Sequence, residues 1–109
     1  MADYFYHVES SQERRKLQEL KPDLFQAFMD FNGKVFTDGA LSNRVKELIA
    51  VATAHITQCP YCIAGHTKKA KKAGASDEEV AEAIFVAMAM RAGGAFAHCA
   101  ITMKALDEE

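Results

Sequence analysis

The stretch Gln58-Cys59-Pro60-Tyr61-Cys62-Ile63-Ala64-Gly65-His66 decides the fold. Two thiols at this spacing open a helix in several architectures, and what precedes them tells those architectures apart. Upstream, Ser42 is a good helix cap, and Val45, Leu48, Ile49, Ala52 and Ile56 recur at the helical period as far as residue 57. The opposite face carries Val51, Ala54 and His55 after Glu47, so this helix is apolar on most sides and is expected to be buried on most sides. Pro60 suits the first position of the next helix, with Cys59 at its cap and the run through Lys68 and Lys72 ending at Gly74. The two thiols therefore follow a helix.

Working outward, the remaining signals are helical as well. Residues 12–20 form a short charged run that meets Lys21-Pro22, where proline either stops that helix or opens the next. Leu24, Phe25, Phe28, Met29, Phe31 and Phe36 then recur at steps of mostly three and four, and are expected to face a core, until Asn32-Gly33 and Asp38-Gly39 mark a fraying end and a turn. Ser76-Asp77-Glu78-Glu79 is a capping box that opens a long apolar segment to about Arg91. Gly93-Gly94 permits a break, a close helix crossing or a subunit contact before a last helix to Leu106. No segment alternates with period two, so there is no sheet to build. Glutaredoxins carry Cys-Pro-Tyr-Cys too, but after a strand and within a sheet, and that context is missing here. The expected fold is all-α, with about five to six helices.

At 109 residues the chain is read as one domain over residues 1–109, residues 1–20 being an N-terminal extension. Half the residues are apolar and a quarter charged, a globular balance. Thirteen basic residues against fifteen acidic ones, spread over several segments, give no footprint for nucleic acid. Residues 1–10 lack a basic region followed by an apolar run, which predicts no secretory signal and a cytoplasmic protein. Residues 81–101 are nearly uncharged, yet Glu82, Arg91, His98 and the glycine pair interrupt them, so a buried helix is expected rather than a membrane span. So many apolar helix faces in so short a chain predict a homo-oligomer. Three cysteines argue against a disulfide framework; in a reducing compartment a CxxC is metal-binding or catalytic.

On a helix beginning at Pro60, Cys59 and Cys62 are i and i+3, and Cys62 and His66 are i and i+4, so all three share a face. Both thiols lie near the positive end of the helix, which favours thiolate. His66 is the candidate base, and Glu47, the only acid between Asp38 and Asp77, is the candidate to orient it. The commoner fate of such an acid is a surface pair with Arg44 at i, i+3. Zinc is the rival chemistry, with His55, Cys59, Cys62 and His66 as ligand types, although the spacing matches no common finger. That alternative would make the chain a zinc-stabilised interaction module; a redox sensor without turnover is a third reading. Cys99 reads as a small core residue, the methionines Met88, Met90 and Met103 as core filler or cavity lining, and His98 as facing a subunit boundary or a pocket.

Glu47, Cys59 twelve positions on, Cys62, His66 and the following run from Lys72 to Glu79 resemble the AhpD-like branch of the carboxymuconolactone decarboxylase family, over residues 41–105. The resemblance implies an all-helical fold, a homohexamer of single units or otherwise a homotrimer, and thiol-dependent alkylhydroperoxide reduction. It implies Cys62 as the peroxide-attacking cysteine, Cys59 as its resolving partner, and Glu47 and His66 as a proton relay. No cofactor is implied; the partners would be a hydroperoxide and a dithiol electron donor, such as a lipoylated or thioredoxin-like protein. Tyr61 stands where the branch carries a second histidine, which implies a shorter relay and weaker peroxidase activity.

Overall fold

The computed structural model describes residues 11–108, so the readings placed on residues 1–10 lie outside the described residues. Five helices follow one another: α1 Ser11–Leu20, α2 Pro22–Val35, α3 Asn43–Thr57, α4 Pro60–Lys72 and α5 Asp77–Leu106, with no strand among the described residues. The all-α expectation holds.

Each boundary has a local cause. Proline both stops and starts: Lys21 adopts φ −140°, ψ 70°, the non-helical geometry a following proline enforces, and Pro22 opens α2. Ser42 caps α3 as expected, its hydroxyl accepting the Val45 N–H at 3.2 Å. The 36–42 connection is pinned to the start of α3. Asn43 donates from its backbone to Asp38 Oδ1 at 2.7 Å and from its side chain to the Phe36 carbonyl at 2.6 Å, and Lys46 Nζ donates to the Thr37 carbonyl at 2.7 Å.

Gln58 ends α3 in the left-handed region at φ 58°. Both its own N–H and that of Cys59 return to the Ala54 carbonyl, so the chain reverses within two residues and delivers Cys59 as the cap of α4. Gly74 makes the same kind of stop at φ 98°. The Ser76–Glu79 capping box forms both of its bonds, at 3.1 and 2.9 Å.

The core sits where α3, α4 and α5 meet. Val51, Ala70 and Ala75 are buried at its centre, and Leu48, Val80 and Ile84 pack around them. Alanines at the contact let the helix axes approach closely. Ala54 and Ala87 are buried as well.

Three expectations are corrected within the single chain. Gly93-Gly94 does not break the last helix; α5 runs unbroken for 30 residues. Glycine weakens a helix interior by only about 1 kcal/mol and leaves the hydrogen-bond ladder intact, and here alanines flank it. Nor is α5 buried: Phe85, Met90, Phe96 and Ile101 are all exposed. By length and composition α5 could cross a membrane, and little of its apolar stretch is covered by the rest of the chain. Finally, α2 buries no residue. Leu24, Phe28 and Phe31 are exposed and Phe25 is half-buried, because α1 and α2 form a hairpin that stands beside the other three helices.

Candidate active site

The turn at Gln58 makes α3 and α4 neighbours, so residues distant in sequence but level on the two helices face each other. Glu47 on α3 meets His66 on α4, with the imidazole Nδ1 2.6 Å from Glu47 Oε1. The carboxyl side chain is 4% exposed and the imidazole 19%. A carboxylate so deeply placed needs a hydrogen-bonding partner, and Nδ1–H supplies it. That bond fixes the tautomer and leaves Nε2 as the second, proton-accepting nitrogen.

Arg44 does not take the role expected of it. It reaches across to Glu79 of the α5 capping box, which lowers the Glu79 pKa together with the Ser76 N–H, while Glu47 points inward. The acid is thereby left to His66.

Phe36, just beyond the end of α2, stacks on the His66 ring, with centroids 5.0 Å apart and planes 23° from parallel. This residue completes the site without having been expected there. Its only sequence signal was an aromatic at the end of an apolar run, and nothing in the spacing ties it to His66. The bond from Asn43 to its carbonyl holds it in place.

Cys59 Sγ accepts the Cys62 N–H at 3.2 Å, a sulfur cap on α4. All three cysteines are free thiols, Cys59 half-buried and Cys62 exposed. Hydrogen bonding from the Cys62 thiol, and then from the Cys62 and Tyr61 backbone, pulls the Cys59 pKa below its ordinary 9.0. The Cys62 thiol is pushed up because it donates to Cys59, because it is partly desolvated, and because the Cys59 charge repels a second one. The two titrate as a coupled pair in which the first proton is lost more readily and the second is held more tightly.

Cys62 and His66 line one cavity of about 320 Å³ together with Tyr61. Thus α4 brings Cys59, Cys62 and His66 together at its start, and α3 adds Glu47. The zinc arrangement is not assembled. His55 Nδ1 bonds the Val51 carbonyl at 2.8 Å and His66 Nδ1 is taken by Glu47. Among the described residues no three His, Cys, Asp or Glu side chains are grouped to hold a metal ion. Cys99 is exposed on α5 rather than in a core, and His98 beside it is exposed too, bonding the Gly94 carbonyl at 2.7 Å.

This geometry has relatives. The chain is 55% identical over 82 residues to uncharacterized protein 4 in the cox locus of Paracoccus denitrificans, covering 75% of this chain and 74% of that one. A crystal structure of a Methanobacterium thermoautotrophicum protein superposes with a TM-score of 0.74 at 34% identity, over 79% of this chain and 97% of the other. Apo carboxymuconolactone decarboxylase family protein from Legionella pneumophila gives 0.70 at 35% identity, over 73% and 71%. A Thermotoga maritima protein of the same family, for which involvement in an antioxidative response has been suggested, gives 0.61 at 25% identity, over 91% and 95%. The sequence profile of the family matches residues 22–105, which include the connection carrying Phe36, the Glu47–His66 pair and the dithiol, and on this evidence the chain belongs to the carboxymuconolactone decarboxylase family.

Proposed function

We propose that the protein is a thiol-dependent peroxidase of the alkylhydroperoxidase kind, working in a reducing cytoplasm. The observation that carries the reading is the buried Glu47–His66 pair beside a CxxC dithiol that opens onto a cavity. A hydroperoxide enters the cavity, and His66 Nε2 takes the proton of the Cys62 thiol. The Cys62 thiolate attacks the distal peroxide oxygen, the O–O bond breaks, and the alkoxide leaves as alcohol with the proton from His66. Cys62 is now a sulfenic acid. The Cys59 thiolate attacks its sulfur, a disulfide forms, and hydroxide leaves to become water with one proton from solvent. A dithiol donor, such as a lipoylated or thioredoxin-like protein, reduces the disulfide by exchange. Glu47 orients His66 and balances its charge while it holds the proton. The antioxidative role suggested for the Thermotoga maritima relative supports this reading.

The test is a free-thiol count on reduced protein before and after one equivalent of cumene hydroperoxide, with the new bond mapped by mass spectrometry. Loss of two thiols into a Cys59–Cys62 disulfide is expected. Retention of all three thiols, or unchanged peroxide consumption by Cys62→Ser, sinks the proposal.

Self-association is the second part of the proposal. Phe28, Phe31, Phe85, Phe96 and Ile101 are all exposed in the single chain, more large apolar side chains than a monomeric surface ordinarily carries. Further copies of this chain would cover α2 and the outer faces of α5, in a homohexamer of single units or otherwise a homotrimer. A protein partner suits α5 better than lipid, since Arg91 lies mid-helix and donates to the Ile56 carbonyl at 2.7 Å.

A further inference from the structure

Among the described residues, the charged side chains lining the cavity beside Cys62 are all cations. Arg14 of α1 and Lys68 and Lys69 of α4 line it, and among the described residues no carboxylate does. None of these three cations has an ion-pair partner among the described residues. Lys71, one turn of α4 away, shows the contrast: it is bound to Asp77 and takes no part in the cavity. Glu47, the acid of the site among the described residues, is buried and bonded to His66. A concave surface with three uncompensated cations concentrates anions and speeds their arrival. Lysines that served only the negative end of the helix would not need to converge with an arginine from another helix.

We propose that this site selects anionic organic hydroperoxides, molecules that carry a carboxylate beside the peroxide. The carboxylate sits among Arg14, Lys68 and Lys69 while the O–O group faces Cys62. A cavity of about 320 Å³ has room for an aromatic hydroperoxide with one such substituent. The carboxylate is unchanged by the reaction: the hydroperoxide and two thiols give the alcohol, water and a disulfide. The substrate assignment rests on the peroxidase reading, whereas the charge preference of the cavity rests on its walls alone.

Two ratios test it. The first is the single-turnover oxidation rate with para-carboxy cumene hydroperoxide divided by that with cumene hydroperoxide. The second involves no peroxide: the rate of Cys62 alkylation by iodoacetate divided by that by iodoacetamide. Modified residues are located by mass spectrometry, with Cys99, which does not line the cavity, as internal reference. Any change in thiolate content scales both members of each ratio alike. Removing two surface cations in Lys68→Gln/Lys69→Gln is expected to lower both ratios about three- to tenfold at low salt. Arg14→Gln lowers them less, and all the differences shrink at high ionic strength. Because Lys68 and Lys69 are exposed, the variants keep the fold. A hydroperoxide ratio unmoved by the substitutions overturns the substrate proposal, even if the alkylation ratio falls. If neither hydroperoxide oxidises the protein, the peroxidase reading and this substrate fail together. A fall in the alkylation ratio would then show an anion-selective cavity serving another reaction.

Discussion

Replacing Glu47 by glutamine isolates the charge of the proposed relay from its shape. The amide oxygen can still accept the His66 Nδ1–H, so the 2.6 Å contact and the ring orientation are kept. What disappears is the negative charge beside His66 at the moment when, in the proposed mechanism, it holds the Cys62 proton. Two unit charges about 4 Å apart at an effective dielectric of about 20 attract by about 4 kcal/mol. The carboxyl is 4% exposed but the imidazole 19%, so solvent screens part of this and about 2–3 kcal/mol is the expected loss. That corresponds to a roughly 30- to 150-fold slower oxidation of Cys62. The assay is anaerobic stopped-flow mixing of reduced protein with excess cumene hydroperoxide, quenched at intervals for thiol counting. Thermal melts of both proteins check that the substitution has not loosened α3 against α4. A rate within threefold of the parent, with the same disulfide formed, would refute the relay. His66 would then be a packing residue and the dithiol would act alone.

Further outcomes follow from other parts of the structure. Phe36→Leu, which removes the stack on His66, is expected to slow oxidation severalfold while leaving the Cys59–Cys62 bond as product; equal rates in a stopped-flow comparison would make the stack incidental. Gln58→Gly should stabilise the fold by about 0.5–1 kcal/mol, since glycine enters the left-handed region freely; urea midpoints at fixed protein concentration decide it, and a lower midpoint counts against the strain. The reduced dithiol should make stability depend on pH in two directions. Cys59, with its pKa lowered from 9.0, loses its proton earlier in the folded state, so stability rises as pH climbs from that lowered value toward 9.0. Cys62, with its pKa raised, keeps its proton longer than in the unfolded chain, so stability falls again above 9.0. Melting temperatures across this range should therefore peak near the ordinary thiol value, and a Cys59→Ser/Cys62→Ser protein should lose the peak. Light scattering should give a mass that is a multiple of 12.0 kDa, lowered by Phe96→Glu on the exposed side of α5; a 12.0 kDa species at micromolar concentration removes the assembly proposal.

Most of the helical frame was legible because its signals are local. Ser42, Pro60, Gly74 and the Ser76–Glu79 box each act within one turn of their own position, and each marks the boundary it was expected to mark. Gly93-Gly94 misled because glycine permits a break without requiring one, and the backbone ladder of α5 continues through it. The aromatics of α2 recur at the helical period, whereas α5 is apolar nearly all round. Periodicity says that a face wants cover, though not whether the same chain provides it, and here it does not.

The sequence by itself determined that the chain is helical and that Cys59, Cys62 and His66 share the first turns of one helix, since spacings of three and four residues are fixed by helix geometry alone. Tertiary structure alone decided which partner Glu47 takes. Arg44 and His66 were both available to it, and the left-handed turn at Gln58 set α4 beside α3, bringing His66 within 2.6 Å while Arg44 turned to Glu79. The same packing placed Phe36 on the imidazole and Arg14 with Lys68 and Lys69 around the cavity. Contacts between residues so far apart in the chain depend on how helices cross, and no local period records that.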